Sequence, residues 1–244
     1  MEPSEYEAIA RLESSHWWYQ GMREISASLL SELKLPANAR VLDAGCGPGG
    51  TSAYLTRYGS VVGLDVAEAA VDLARRHTEL TVVHGSVTAL PFADGSFDLV
   101  TSFDVLYHRA VGDEGAAVAE AARVLRHKGW FLMRVPAFEF LRSNHDRVVH
   151  TQRRYRAEQV RSLIERAGMH TQRLTYANTL LFPMALLKRG LERLQGSEAL
   201  ESDVQETAAP LNALLGGVLR LEALALRRWR FPFGVSLWCL ARKM

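Results

Sequence analysis

Five short runs rich in β-branched residues, at 40–43, 61–65, 81–84, 97–102 and 130–136, are separated for the most part by stretches of helical period. That alternation constrains the fold more than any other feature of the chain. Strands joined through crossover helices pair in parallel, and a parallel sheet needs helices on its faces. Stretches 51–58, 67–77 and 114–125 can supply the crossovers, so the chain is expected to be α/β, a doubly wound, mostly parallel sheet. Two helical patterns precede it, one marked by Tyr6 and Ile9, the other by Met22, Ile25, Leu29 and Leu33 at helical spacing. After the fifth run a helix at 157–167 ends at Gly168, a short strand pattern surrounds Leu174, and 234–241 reads as a last strand. Between these two strands lie two further helical stretches, with Pro183 and Pro210 near their starts, where proline suits a first turn. The expected organisation is a helical cap at 1–35, a core at 36–178, a helical insertion at 179–230 and a final core strand within 231–244.

A chain of 244 residues with 48% apolar residues can bury a full core without staples. Cys46 and Cys239 have neither a disulfide framework nor zinc spacing and read as free thiols. A formal charge of +2 gives no net field to attract nucleic acid. The acidic start, MEPSEYEA, lacks the regions of a signal peptide, and nowhere do ~18 to 20 apolar residues run uninterrupted. A cytoplasmic protein is the resulting expectation.

The first strand runs into a glycine turn, VLDAGCGPGG at 41–50. Gly45, Gly47 and Gly50 fit GxGxxG, and Gly45, Gly47 and Gly49 fit GxGxG equally well, so spacing alone does not choose the ligand. Asp43 bears on the choice. A carboxylate two residues before the first glycine would repel a pyrophosphate and suits a ligand that is cationic there, such as the α-ammonium of S-adenosylmethionine. Asp65 closes the second strand, where an acidic side chain can accept from ribose hydroxyls.

With these residues, VLDAGCGPGG, VVGLDVAEAAVDLAR and HGSVTALPFADGSFDLVTSFDVLYH together resemble the motifs of class I S-adenosylmethionine-dependent methyltransferases over 40–136. The flanks HWWYQGMREI and HDRVVHTQRRY are similar, more loosely, to a branch of bacterial small-molecule and glycolipid-associated methyltransferases. The resemblance implies a Rossmann-like sheet with S-adenosyl-L-methionine as cofactor. It places Asp43, Gly45, Gly47 and Gly49 at the methionine part, Asp65 and Val66 at the ribose and adenine, and Phe103 beside the methionine. Where the family usually has an acidic residue for the adenine amine, this chain has Ser86. Its hydroxyl can accept from that amine, and the Val87 N–H can serve the ring nitrogen.

Methyl transfer from a sulfonium is an in-line displacement, so positioning dominates, and a base is needed only for an acceptor that holds its proton. His145, on a connection after the fifth strand, is the favoured candidate. His108, after the fourth strand, is the second, with a structural hydrogen bond as its other reading. His145 and His150 are five apart, which suits neither a helical metal pair nor a zinc motif, and no metal is expected. Trp17, Trp18 and Tyr19 read either as an anchor for the cap or as an aromatic wall beside sulfonium or acceptor. The arginine-rich stretch 142–161 reads either as a solvated face or, through Arg153 and Arg154, as an anion fork.

In the insertion, Met184, Leu187, Leu191 and Leu194 share one helical face, and Leu211, Leu214, Leu215, Val218 and Leu221 another. These stripes are expected to be buried, against each other, the sheet domain or a second copy, or to form a lid that selects an apolar acceptor. Gly216 and Gly217 predict a bend or a close backbone approach. Arg220, Arg227, Arg228 and Arg230 would let the second helix touch a membrane surface and admit an apolar, anionic acceptor. The leading reading is methyl transfer to a small acceptor, apolar or linked to lipid or glycan, by a monomer or homodimer. The alternatives are a non-catalytic S-adenosylmethionine-binding module and a tRNA or RNA methyltransferase, the latter disfavoured by sparse aromatics.

Overall fold

The computed structural model describes residues 3–77, 79–195 and 206–244. Seven strands, β1 (Arg40–Ala44), β2 (Ser60–Asp65), β3 (Thr81–His84), β4 (Phe97–Phe103), β5 (Leu125–Pro136), β6 (Met169–Ala177) and β7 (Ser236–Lys243), form one sheet of order β3-β2-β1-β4-β5-β7-β6. Only β7 runs against its neighbours, pairing antiparallel with both β5 and β6. The fifth strand is longer than its apolar run. Its first residue, Leu125, pairs with Phe97, a register shift follows, and Lys128 takes φ 64° before the regular ladder resumes at Trp130. The polar RHK stretch hides this part of the strand from a reading by apolar pattern.

Two core layers follow from the period of two along each strand. On β1, Leu42 joins one layer and Val41 the other; on β5, Met133 and Leu132 divide likewise, as do Cys239 and Trp238 on β7. The first layer is closed by α5 (Glu114–Val124) and α7 (Ala157–Arg166), through Val118, Ala121, Val160 and Ile164. The second is closed by α2 (Trp17–Leu30) and α9 (Ala209–Leu226), through Met22, Ile25, Leu219 and Leu226. The helices approach so closely that a Cβ on Gly21 would stand 2.1 Å from Leu219 Cδ1. α9 is therefore a layer of the core.

That packing corrects the expected stripes. α9 buries Leu219, Glu222, Ala223 and Leu226, while Leu211, Leu214 and Leu221 of the expected stripe stay exposed. On α8 (Phe182–Gln195), Met184, Leu187 and Leu191 are likewise exposed, and the side chain of Leu194 lies outside the described residues. The reason is the polar grip on the other face. Glu222 is wholly buried, and its carboxylate accepts from the backbone N–H groups of Thr179 and Leu180 at 3.1 and 3.0 Å. It thus fixes the turn that aims α8. α9 is continuous through Gly216 and Gly217, and neither marks a tight approach: a Cβ at Gly216 would stand 3.9 Å from Trp17 Cβ, and one at Gly217 would meet nothing within 4 Å.

Candidate active site

Strand order reverses at β1, whose neighbours are β2 and β4, and open α/β sheets hold ligands outside the carboxyl ends of the strands at such a point. The glycine turn leaves β1 there. Gly45 and Gly47 have φ of 92° and 53°, in the left-handed region that glycine adopts without a Cβ penalty. A Cβ on Gly45 would also stand 2.1 Å from Val105 Cγ2. Gly47 N–H donates to Asp65 Oδ2 and Ala67 N–H to Asp65 Oδ1, both at 2.9 Å, so the carboxylate ties the two turns together.

A cavity of about 250 Å³ opens over this turn. Of the expected cofactor residues, Asp43, Gly45, Gly47, Asp65, Val66, Ser86, Val87 and Phe103 all line it. Gly49 does not; at φ 96° it is the N-cap of α3 (Gly50–Leu55), where the chain must turn left-handed to enter the helix. Asp43 is 1% exposed and accepts from Ser52 Oγ at 2.6 Å and Thr101 Oγ1 at 2.9 Å. Burial raises its pKa to about 6 against those two hydroxyls. Burial also raises Asp65, opposed by its backbone donors. Ser86 Oγ accepts from Thr88 N–H at 3.2 Å and bonds Thr88 Oγ1 at 2.8 Å, so its hydroxyl is already turned into its own loop.

The cap contributes residues that sequence reasoning missed. α1 (Pro3–Leu12) packs against α4 (Glu68–His77) and brings Glu5 and Tyr6 to the cavity, and Glu13 follows from its end. The Glu13 carboxylate lies where a Cβ on Gly50 would fall, and burial pushes its pKa to about 7 against Arg23 and the Gly50 N–H. No local pattern marks Glu13. Two other omissions were legible: Arg134 is the one charged residue of the run WFLMRVP, and Asp104 directly follows Phe103. These two form an ion pair at the cavity, with Asp104 held at φ 59°.

Glu5, Glu13, Asp43, Asp65 and Asp104 thus line one cavity with a single guanidinium, Arg134. That excess of acceptor carboxylates fits a ligand carrying a sulfonium and an ammonium, and fits a pyrophosphate poorly. A pH dependence follows. Below about pH 7 a bound cation must displace the proton of Glu13, so affinity for S-adenosylmethionine is expected to rise by up to ~10-fold per pH unit and level off above about 7. In Glu13→Gln the part of the rise near 7 should be lost, leaving the dependence set by the buried carboxylates Asp43 and Asp65, both raised by burial. Calorimetry across that range checks it, and an unchanged profile in Glu13→Gln would remove Glu13 from the cofactor site.

A second cavity, of about 350 Å³, adjoins the first. The two share Trp18, Tyr19, Asp104, Tyr107, His145 and Val149. Its own walls include Trp17, Leu181, Met184 and Ala185, with Lys188 and Arg189 of α8 and Asn178 at the end of β6. Trp17 and Trp18 pack on the second core layer, and Trp17, Trp18 and Tyr19 all line cavity walls. α8 supplies cavity wall, but no residue of α9 lines either cavity, which corrects the expectation that both helices cover the site.

His145 lies in α6 (Asn144–Val148), and the arginine-rich stretch is what holds that helix. Asp146, 2% exposed, receives Arg154 Nε at 3.0 Å and its second guanidinium nitrogen at 2.9 Å, together with Ser143 N–H at 2.8 Å. Arg153 pairs with Glu114, and Arg142 with Glu139. The anion fork expected of Arg153 and Arg154 is therefore spent on structure. His108 lines only the first cavity, and its Nδ1 accepts from Ala110 N–H at 3.1 Å as an N-cap. Burial first, with nearby cations including His150, lowers its pKa to about 4. Burial, then Glu13 and Asp104, push the Tyr19 hydroxyl well above its usual range, which keeps it a neutral donor at physiological pH.

The family described as "Methyltransferase domain" matches residues 42–133, from β1 to β5. The chain is 31% identical over 207 residues, covering 82% of it and 76% of the other protein, to a probable S-adenosylmethionine-dependent methyltransferase of Mycolicibacterium smegmatis. It belongs to the class I S-adenosylmethionine-dependent methyltransferases, and S-adenosylmethionine is its cofactor. A ubiquinone biosynthesis O-methyltransferase of Thiobacillus denitrificans is 28% identical over 187 residues, 65% of this chain and 80% of that one. Lengths vary among relatives: the chain spans 36% of a 37.1 kDa transposon-encoded protein of Streptomyces fradiae, uncharacterized, that is 38% identical over 49% of the chain. The fold matches, at TM-score 0.62 and 21% identity over 98% of this chain and 97% of that one, a putative methyltransferase solved in complex with the Haloferax volcanii Trm112 activator.

Proposed function

We propose that the enzyme methylates a small acceptor with an apolar body, seated in the cavity under α8 so that its reacting atom stands at the wall shared with the cofactor cavity. The observation that carries this reading is the shared wall itself, Tyr19, Asp104 and His145 with Trp18, Tyr107 and Val149. S-adenosylmethionine supplies a methyl group on a sulfonium leaving group. What the chain adds is position: Trp17, Leu181, Met184 and Ala185 desolvate the acceptor, and the Tyr19 hydroxyl donates a hydrogen bond that orients it. If the acceptor atom is a hydroxyl oxygen, as the O-methylation named for the Thiobacillus denitrificans relative favours, His145 takes its proton.

The test uses methyl-labelled cofactor and cell extract separated into organic-soluble, aqueous and nucleic-acid fractions. Label is expected in the organic-soluble fraction, with release of S-adenosylhomocysteine. Ala185→Trp, which fills the second cavity, should abolish that label and keep cofactor affinity within a few-fold. Label in RNA, or turnover indifferent to Ala185→Trp, would overturn the acceptor reading. Retained cofactor with no methylated product from any fraction would favour a non-catalytic module.

A further inference from the structure

α9 is apolar on both sides. One stripe packs on α2, and on the opposite side Leu214, Leu221 and Leu224 are 63%, 64% and 56% exposed at helical spacing, with Gly217 between the first two. A solvent face of leucines needs a cover. Beyond the helix, Trp229 is 65% exposed and stands among exposed Arg227, Arg228 and Arg230, with Arg220 on the flank of the stripe. From Thr207 to Phe233 the single carboxylate is Glu222, and it is buried. The surface is therefore leucine and tryptophan bordered by arginine, with no exposed acid on the segment.

We propose that this outer face of α9 and the arginines that follow it rest on a bilayer surface containing anionic lipid. Apolar side chains enter the headgroup boundary, the indole sits at the interface, and the guanidinium groups meet lipid phosphates. A second copy of the chain is a poorer cover. In a two-fold contact the same patch would have to be its own partner, and the segment offers no exposed carboxylate to pair with its arginines. α9 lies on the surface and does not span it. Its 18 residues are long and apolar enough to cross a membrane by composition, yet Leu219, Ala223 and Leu226 are packed on α2, and Glu222 holds the turn at Thr179. The inference goes beyond the acceptor reading and gives an apolar acceptor a route, since α8, aimed by that same turn, walls the acceptor cavity.

Flotation of the purified full chain with vesicles of phosphatidylcholine alone, or mixed with phosphatidylglycerol, tests the proposal without methyl transfer, so its failure is separate from failure of the acceptor reading. Binding is expected only with phosphatidylglycerol and should weaken with salt. Leu221→Glu/Leu224→Glu and Arg227→Glu/Arg228→Glu, all at exposed positions, should each reduce partitioning by ~10-fold or more while S-adenosylmethionine affinity stays unchanged. Equal binding to both vesicle types, or none to either, would overturn it. So would a dimer in solution that Leu221→Glu/Leu224→Glu dissociates without any vesicle binding, which would assign the face to a second copy.

Discussion

Replacing His145 by alanine is expected to lower kcat for a hydroxyl acceptor by a factor of ~100 or more and to leave S-adenosylmethionine affinity nearly unchanged, as loss of a general base does. The expectation rests on placement. His145 lines the wall common to both cavities, whereas His108 touches only the first and is committed to capping the turn at Ala110. The short helix carrying His145 is not left to its own stability. Asp146, the next residue, is locked by two nitrogens of Arg154 and by Ser143 N–H, so the imidazole is presented from a buried ion pair. His108→Ala should therefore lower thermal stability more than rate. Tyr19→Phe separates orientation from proton removal: it deletes a donor that stays protonated at neutral pH, so KM should rise and the pH profile of kcat should keep its shape. An unaltered rate in His145→Ala, or lost cofactor binding, would return the histidine to a structural role.

Gly45→Ala is expected to weaken S-adenosylmethionine binding by ~100-fold or more, because it combines two penalties of order 1 to 3 kcal/mol. The residue sits at φ 92°, and its new methyl would stand 2.1 Å from Val105 Cγ2, in the turn directly after Asp104. Relief requires moving Val105, and with it the Asp104 end of the shared wall. Gly47→Ala is the control. At φ 53° it carries the backbone penalty alone, with no atom within 4 Å of the added methyl, and should cost ~10-fold or less. Calorimetry on both variants, with thermal melts to confirm folding, decides the matter; equal effects at the two glycines would show that the Val105 contact is irrelevant to the site.

Much of the sheet was legible because each strand is short, apolar and followed by a chain reversal. The first four strands, 40–44, 60–65, 81–84 and 97–103, match the apolar runs to within a residue or so. β5 was read short because its first turns are polar and its ladder is interrupted by a register shift. Local pattern marked Asp43, Gly45, Gly47 and Asp65 at the ends of recognisable strands, the family resemblance added Val66 and Phe103, and these six line one cavity. Glu13 could not be found that way. It gains its place only when the cap folds over Gly50, 37 residues further along the chain.

The insertion shows where local pattern fails. Sequence periodicity correctly identified two amphipathic-looking helices, but it could not choose between two apolar faces on α9, because both satisfy the same spacing. The choice was made by shape and by one buried charge: Gly21 lets Leu219 come close, and Glu222 must stay inward to satisfy the N–H groups of Thr179 and Leu180. The same holds for the arginines, whose composition suggested an anion site until Asp146, Glu114 and Glu139 claimed them. By itself the sequence determined the class of fold, the cofactor and the strand ends that line the first cavity, because those depend on motifs of near neighbours in the chain. Only the tertiary structure decided which helix walls the second cavity, which histidine reaches both cavities and which leucines face outward, because each of those depends on which distant surface a locally ambiguous face meets first.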